Sequence, residues 1–294
     1  MLVGPDPTPI PRMPSNPAPE IRNPGRIAFI GGGNMARSLI GGLLRSGTRA
    51  DSIAVAEPVA AAREALAHDF ALTAHEHARD AATGAAVIVL AVKPQVMKAV
   101  CTELADVVAT TRPLLISIAA GIRIGQLRAW LGADVPIVRA MPNTPALIGA
   151  GASGLIANAS TSAAQRAQAE AILGAAGRTV WIEREDLMDT VTALSGSGPA
   201  YFFLLVEALE DAAVAQGLPR EAARTLAMQT CLGAGRMLVE SAVAPDILRE
   251  RVTSPGGTTA AALAVFATGG LRELVAKAVV AATRRGGELS EQYS

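Results

Sequence analysis

The sequence predicts an α/β protein in two parts, a doubly wound sheet domain followed by an all-helical domain. Three observations carry this. Residues 26–36 read Arg-Ile-Ala-Phe-Ile-Gly-Gly-Gly-Asn-Met-Ala, a short apolar strand that runs into three glycines and then a helical stretch. Short apolar runs then alternate with helical periods to about residue 183, as in a parallel sheet covered on both faces. Beyond that point every periodic segment reads as helix. The opening stretch is the strand, tight turn and helix of a Rossmann-type dinucleotide site.

Taken in order, 26–30 is the first strand and 34–45 the first helix, closed near Gly47. A second strand, 52–56, ends at Glu57-Pro58, and 59–68 is helical. Residues 71–73 read as a short third strand. Residues 86–92 are apolar throughout, as a strand buried on both faces should be. Helix 96–109, strand 114–118, helix 122–131 and strand 137–140 continue the alternation. Residues 154–157 and 179–182 read as edge strands separated by helix 162–173. Helices 186–194, 200–216, 220–241, 259–267 and 271–283 follow, with Gly217 as a stop and Pro219 near a start. The expected domains are a leader (1–24), a dinucleotide-binding domain (25–183) and a helical domain (184–294). The leader holds eight of the eighteen prolines and reads as disordered or extended, with Met13 as an alternative start.

A chain of 294 residues can bury one large core or two ordinary ones. Half the residues are hydrophobic but only 3% are aromatic, so Ala, Leu and Val fill the interior. Charges balance at 26 basic and 26 acidic residues without a basic cluster, which argues against nucleic acid as a partner. No stretch reads as a membrane span, because the longer apolar runs are broken by charge, Gly or Pro. The leader lacks the apolar centre of a secretory signal. Cys101 and Cys231 make neither a disulfide framework nor a zinc spacing, and His75 and His77 around Glu76 lack a further ligand, so no metal site is expected. A cytoplasmic setting fits. The late helices are apolar nearly all round, with Tyr201-Phe202-Phe203-Leu204-Leu205-Val206 as the extreme. They either fill their own core or pack against a second chain, and the second reading is favoured.

Five loops hold the chemistry. In the first, Gly31 permits the sharp turn, Gly33 leaves room for a pyrophosphate against the backbone, and Ala36 lets helix pack on strand. The helix start adds unpaired N–H groups and a positive dipole end. Ala91-Val92-Lys93-Pro94-Gln95 follows a buried strand, on the sheet edge where ligands bind. Lys93 there meets a phosphate, supports the pocket, or is a solvated turn residue. Residues 139–145 hold Asn143 and Thr144 between two prolines; they either reach the nicotinamide carboxamide or ribose, or cap a turn. Ser195-Gly196-Ser197-Gly198-Pro199 leads into a helix expected from Ala200. It departs from the nucleophile-elbow pattern, and close packing of the two domains explains it. In residues 253–259, Gly256 and Gly257 expose N–H groups while Ser254, Thr258 and Thr259 add hydroxyls. That loop grips an anion such as a carboxylate, or is a polar helix cap.

A hydride donor in the first domain and an anion-gripping loop in the second place substrate at the domain junction. No metal is expected and no histidine stands in a motif, so the reaction needs little acid–base machinery. Reduction of an already protonated imine meets that condition, whereas carbonyl reduction more often needs a strong proton donor.

Together, residues 29–36, 91–95, 141–145, 194–201 and 254–259 resemble, in order and spacing, the pyrroline-5-carboxylate reductase family from about residue 25 almost to the end. The resemblance implies hydride transfer from NAD(P)H to the imine carbon of 1-pyrroline-5-carboxylate, giving L-proline in the last step of proline biosynthesis. It implies a Rossmann domain followed by a helical dimerisation domain, an interlocked homodimer, and often a decamer. It places cofactor contacts at Gly31, Gly33, Asn34, Met35, Ala36, Ala91, Val92, Lys93, Pro94 and Asn143. Ser254, Gly256, Gly257 and Thr258 fall on the loop that holds the substrate carboxylate. Thr259 falls on the threonine whose hydroxyl meets the ring nitrogen, the one catalytic assignment. Catalysis is then mostly positioning and electrostatics.

Cofactor choice is where this chain departs from the family's pattern. NADP-using members tend to carry Ser, Asn or Arg at the end of the second strand, and here Glu57 stands there. A carboxylate accepts hydrogen bonds from the adenosine ribose hydroxyls and repels a 2′-phosphate. Glu76 stands where the family often has asparagine near the same ribose. With no arginine in either stretch, the two carboxylates lean toward NADH over NADPH. The alternatives are that Glu57 points into solvent and that neighbouring His or Lys residues neutralise the site. Rival activities are a six-membered imine acid as secondary substrate, a hydroxy-acid dehydrogenase, and a non-catalytic dinucleotide-binding protein. Lys277 lies far from the polar loops, which weakens the dehydrogenase, and the intact 254–259 loop weakens the binding protein.

Overall fold

The computed structural model describes residues 25–293, and the expectation for the leader, residues 1–24, lies outside the described residues. In order the chain forms β1 (Ile27–Ile30), α1 (Asn34–Arg45), β2 (Ile53–Ala56), α2 (Ala60–Phe70), β3 (Thr73–His75), α3 (Ala78–Ala82), β4 (Val87–Leu90), α4 (Pro94–Thr111), β5 (Leu114–Ser117), α5 (Ile124–Leu131), β6 (Ile137–Met141), β7 (Gly151–Ala157), α6 (Ala163–Gly174) and β8 (Gly177–Trp181). Then come α7 (Met188–Val191), α8 (Gly198–Ala215), α9 (Arg220–Glu240), α10 (Pro245–Arg251), α11 (Thr258–Thr268) and α12 (Leu271–Gln292).

Every residue of β1, β2, β4 and β5 is buried. A strand sealed on both faces needs no polar alternation, and β-branched residues suit its pleat. Successive side chains point into two different cores. Ala28, Ile30, Ile88 and Leu90 enter one, closed by Ala81, Met97, Leu104 and Leu127 from α3, α4 and α5. Ile27, Phe29, Val87 and Val89 enter the other, closed by Leu39, Ile40 and Leu43 of α1 and Ile172 of α6. The eight-stranded sheet has the order β3-β2-β1-β4-β5-β6-β7-β8, with β6–β7 its antiparallel pair. Ile27 pairs with Ile53 on one side and Val87 on the other, so the strand order reverses around β1. The carboxyl ends of β1 and β4 flank that reversal, where such sheets bind ligands.

Several expected boundaries move for local reasons. The third strand is Thr73–His75 rather than 71–73, because α2 continues to Phe70 and Ala71 caps it with a left-handed backbone, φ +52°. β7 begins at Gly151 and lies inside the sheet, leaving β8 as the edge on that side. Neither α3 nor α10 spans enough residues to show an apolar period. Residues 186–194 do not form a single α-helix. A 3-10 turn (Glu185–Leu187) leads into α7 and then a π-turn (Thr192–Gly196), closed by the Ser197 N–H donating to Thr192 O at 2.8 Å. α8 accordingly starts at Gly198, ahead of the expected Ala200. α12 continues past the expected end at residue 283 and runs through Gly286-Gly287 to Gln292. At the first of these glycines the missing side chain admits Asp189, whose Cβ would lie 3.3 Å from a Cβ on Gly286.

Asp189 belongs to a buried ionic cluster. Arg139, 3% exposed at its side chain, donates to Glu185 at 3.2 Å and stands 3.7 Å from Asp189. Glu185 also accepts from the Ile124 N–H at 2.8 Å. A charge buried this deeply needs its partners, since removing one typically costs ~3–5 kcal/mol.

The chain divides into two compact units: Ala200–Ala278 is one, and the other extends to Pro199 and resumes at Val279. The helical unit buries Ala223 and Leu248, with Glu210 and Ser241, and leaves Phe202, Phe203, Leu204, Leu232 and Val265 exposed in the single chain. Glu210 accepts from Arg224 Nε at 3.1 Å, Arg224 Nη2 at 3.0 Å and Arg220 Nη1 at 3.0 Å. Hydrogen bonds from Arg224, and then from Arg220, hold its carboxyl below the usual carboxylate range.

Candidate functional site

β1 turns at once into α1, and its three glycines meet three different demands. Gly31 has φ +99°, and a Cβ there would stand 2.7 Å from Ala91 O at the end of β4. A Cβ on Gly32 would stand 2.3 Å from Leu66 Cδ1 of α2. Gly33 caps α1 and has nothing within 4 Å of where a Cβ would sit. The first two glycines serve the protein's own packing, and the third faces open space. No side chain caps α1, so its leading N–H groups and positive end are left for another acceptor. Main-chain donors that side chains leave clear fit a pyrophosphate. Ala36 is fully buried against the sheet, while Met35 is half-buried and Asn34 exposed. Gly32, absent from the sequence-derived contacts, is packed as closely as Gly31.

Glu57 follows β2 and turns toward this loop. Its Oε2 accepts from the Gly32 N–H at 3.0 Å, its Oε1 from the Val59 N–H at 3.0 Å, and its own N–H donates to His75 O at 2.9 Å. Neither sequence stretch holds an arginine, but the fold brings one to the two carboxylates from α2. Arg63, on the first turn of α2, points back at the β2–α2 junction. Its Nη1 donates to Glu57 O at 2.8 Å and Pro58 O at 3.1 Å, and its Nη2 lies 3.5 Å from Glu76 Oε2.

Ala91 and Val92 follow β4, half-buried, beside Gly31. Lys93 caps α4 with an exposed side chain, and Pro94 is the helix's first residue. Gln95 Nε2 donates to Tyr293 Oη at 3.0 Å, so the end of α12 reaches this loop from the far end of the chain. Nothing in the sequence marks Tyr293 for that contact. Asn143 is buried, and its amide engages main chain at both ends. Its Nδ2 donates to Ser195 O at 2.9 Å and its Oδ1 accepts from the Ala152 N–H at 2.8 Å. These contacts brace the loop, and they join the 141–145 and 194–201 stretches, which are distant in sequence. Thr144 opens a 3-10 turn, Thr144–Ile148.

The other loop lies in the helical unit. Gly256 has φ +71°, and Gly257 caps α11 with no side-chain cap of its own. The Gly257 N–H donates to Ser254 O at 3.1 Å, and a Cβ on Gly257 would stand 2.4 Å from Ser254 Oγ. Ser254 and Thr258 are exposed and Thr259 is half-buried. Free N–H groups at a helix start, with hydroxyls beside them, suit a small anion.

Known proteins resemble both regions. Residues 185–289 match the family described as pyrroline-5-carboxylate reductase dimerisation, and residues 26–121 match the family described as NADP oxidoreductase, coenzyme F420-dependent. The chain is 52% identical over 267 residues to the pyrroline-5-carboxylate reductase of Pseudomonas aeruginosa, covering 91% of this chain and 97% of that one. The solved structure of a pyrroline-5-carboxylate reductase from Coxiella burnetii aligns with a TM-score of 0.89 at 44% identity, covering 91% of this chain and 99% of that one. The Plasmodium falciparum pyrroline carboxylate reductase with NADP bound aligns with a TM-score of 0.78 at 30% identity, over 90% and 98% of the two chains.

Proposed function

We propose how this chain works from one premise: it belongs to the pyrroline-5-carboxylate reductase family. It is an NAD(P)H-dependent oxidoreductase that reduces 1-pyrroline-5-carboxylate to proline, the last step of proline biosynthesis. The observation that carries this is 52% identity sustained over 91% of the chain. When bound, the reduced nicotinamide supplies the hydride that the imine carbon takes up.

The protein's own residues bind and orient. Gly31, Gly33, Asn34, Met35 and Ala36 form the pyrophosphate cradle at the start of α1, supported by the open space at Gly33. Ala91, Val92, Lys93 and Pro94 form the neighbouring wall, and Asn143 keeps its loop stiff. Ser254, Gly256, Gly257 and Thr258 hold the substrate carboxylate at the uncapped start of α11. The Thr259 hydroxyl holds the ring nitrogen. An alcohol is too weak an acid to protonate the imine, so Thr259 orients a ring that arrives protonated.

Glu57 reads the adenosine ribose, with Glu76 beside it, and NADH is the preferred cofactor with NADPH accepted. What supports this is the Glu57 carboxylate held on the Gly32 N–H, next to the cradle. Residues 25–183 serve as the dinucleotide-binding domain and 184–294 as the dimerisation and substrate-binding domain. The exposed Phe and Leu faces of the helical unit become the interface of a homodimer, which builds further into a decamer. Among the described residues no helix is long and apolar enough to cross a membrane. The proposed compartment is the cytoplasm, in keeping with two free cysteines.

Steady-state oxidation of NADH and NADPH, side by side with pyrroline-5-carboxylate, tests this. Faster turnover with NADH supports the enzyme and the role of Glu57. Faster turnover with NADPH keeps the enzyme and removes the carboxylate argument. Turnover with neither, from a folded sample, overturns the reductase.

A further inference from the structure

We propose that Arg63 sets how this enzyme treats the 2′ position of its cofactor, by holding Glu57 in place with one nitrogen and exchanging Glu76 for a 2′-phosphate with the other. The inference rests on the NAD(P)H reading of the Gly31–Gly33 turn. Arg63 lies six residues beyond Glu57 in sequence, and α2 brings it back over the junction that Glu57 opens. Its guanidinium is divided between two tasks. Nη1 donates to the carbonyls of Glu57 and Pro58, at 2.8 and 3.1 Å, and so fixes the backbone from which the Glu57 carboxylate reaches Gly32. Nη2 faces Glu76 at 3.5 Å, and here the two partners differ in burial: the Arg63 side chain is 22% exposed and the Glu76 side chain 60%.

An ion pair of that length with one partner in solvent holds weakly. A phosphate dianion competes well for it, because a guanidinium binds phosphate through a planar fork and with more charge on the acceptor. Glu57 has no such freedom, since both of its oxygens already accept main-chain N–H groups. The two carboxylates therefore play different parts. Glu57 is a fixed acceptor beside the ribose, and Glu76 is a displaceable counter-ion that keeps Arg63 neutralised until a 2′-phosphate replaces it. Arg63 is thus a positioning residue for NADH and a binding residue for NADPH.

The test is binding without turnover, by calorimetric titration of the full-length protein with ADP-ribose and with 2′-phospho-ADP-ribose. Wild type, Glu76→Gln, Arg63→Met and the double variant form one cycle, with Arg63→Lys as a second route should Arg63→Met fail to fold. In Glu76→Gln the affinity ratio is expected to move toward the 2′-phosphorylated ligand by about tenfold. That gain disappears in the double variant, and Arg63→Lys retains only part of it, because the fork is lost and the charge remains. The proposal is overturned if Glu76→Gln shifts the ratio equally with and without Arg63, since simple relief of repulsion then explains it. It is also overturned if Arg63→Met lowers affinity for both ligands by the same factor, the mark of a purely structural clamp. Wild-type protein that binds neither ligand removes the dinucleotide reading itself, and the assignment with it. Wild-type protein that favours the 2′-phosphorylated ligand sinks the NADH preference alone, and the cycle still decides the role of Arg63.

Discussion

α1 and α11 both begin at a glycine with no side-chain cap, yet α1 buries Ala36, Leu39, Ile40 and Leu43 while α11 buries none of its residues. The same device, proposed here to bind an anion, therefore rests on two different foundations. α1 is seated on a sheet whose central strands are sealed on both faces, so its N–H groups are aimed by a core the chain makes alone. α11 is apolar nearly all round and open to water in the single chain, so its N–H groups are only as well aimed as whatever covers it. A helix start binds an anion through fixed donors, and a cradle that wanders loses that advantage. The sheet unit makes its own core in one chain, and the helical unit leaves its apolar faces open, the faces proposed above as the homodimer interface.

The variant expected to do most damage attacks the side left open. Phe203 is 68% exposed in the single chain, in the run Tyr201 to Val206. Burying such a ring contributes ~1.5–3 kcal/mol, and a carboxylate in its place at an apolar interface costs still more. Phe203→Glu should weaken self-association by at least about a hundredfold, read by sedimentation at falling protein concentration. A variant that sediments as the wild type does would show that this face is not the interface.

Gly31→Val attacks the side with its own core. The new side chain meets Ala91 O and forces φ +99° on a β-branched residue. Strain of ~1–3 kcal/mol at the turn should lower the affinity for ADP-ribose by about ten- to a hundredfold. Because the sheet unit has its own core, self-association should persist, and its loss would mean that the two foundations are not independent. Thr259→Val then probes the α11 start with less force. Removing one hydrogen bond of ~1–1.5 kcal/mol should lower kcat/KM for pyrroline-5-carboxylate about tenfold. ADP-ribose affinity should hold, and a fall in it would deny Thr259 a substrate role.

What could be read in the sequence divides along the same line. The glycines of both loops are legible because each answers a local demand: a left-handed turn at Gly31 and Gly256, a bare helix start at Gly33 and Gly257. The sheet is legible because four buried strands need unbroken apolar runs. Contacts made by tertiary approach are not. Arg63 meets Glu76 only after α2 has turned back along β2, and Gln95 meets Tyr293 only once α12 has run on past residue 283, where its helical period reads as ending. Asn143 was open between a ligand contact and a turn brace, since that choice depends on Ser195, 52 residues away along the chain. The 186–194 stretch has a helical pattern, and nothing in that pattern shows that its last turn widens to a π-turn.

The smallest expected effect separates the two units by acid. The helical unit buries little apolar surface in one chain, and Glu210, bonded by Arg220 and Arg224, joins α8 to α9 within it. Its folded carboxyl titrates below its unfolded one, which lies near 4.3 for a glutamate. The unfolded chain therefore takes up the proton first. The stabilisation is whole above about pH 4.3 and fades as pH falls through the lower folded value. The low carboxyls of the sheet unit sit nearer the solvent, Asp51 with Arg49, Asp69 with His68 and then Arg37, and Asp186 with Arg184, and these contacts contribute little. Trp130 and Trp181 both lie in the sheet unit, so their fluorescence follows that unit alone while far-UV dichroism follows every helix. Below about pH 4 the dichroism melt should move to lower temperature ahead of the tryptophan melt. Glu210→Gln keeps an acceptor for the arginines but cannot titrate, so it should start less stable at neutral pH and lose much less on acidification. Wild type and variant falling in parallel across that window would place the acid sensitivity elsewhere, and the two units would then have to be compared on their apolar surfaces alone.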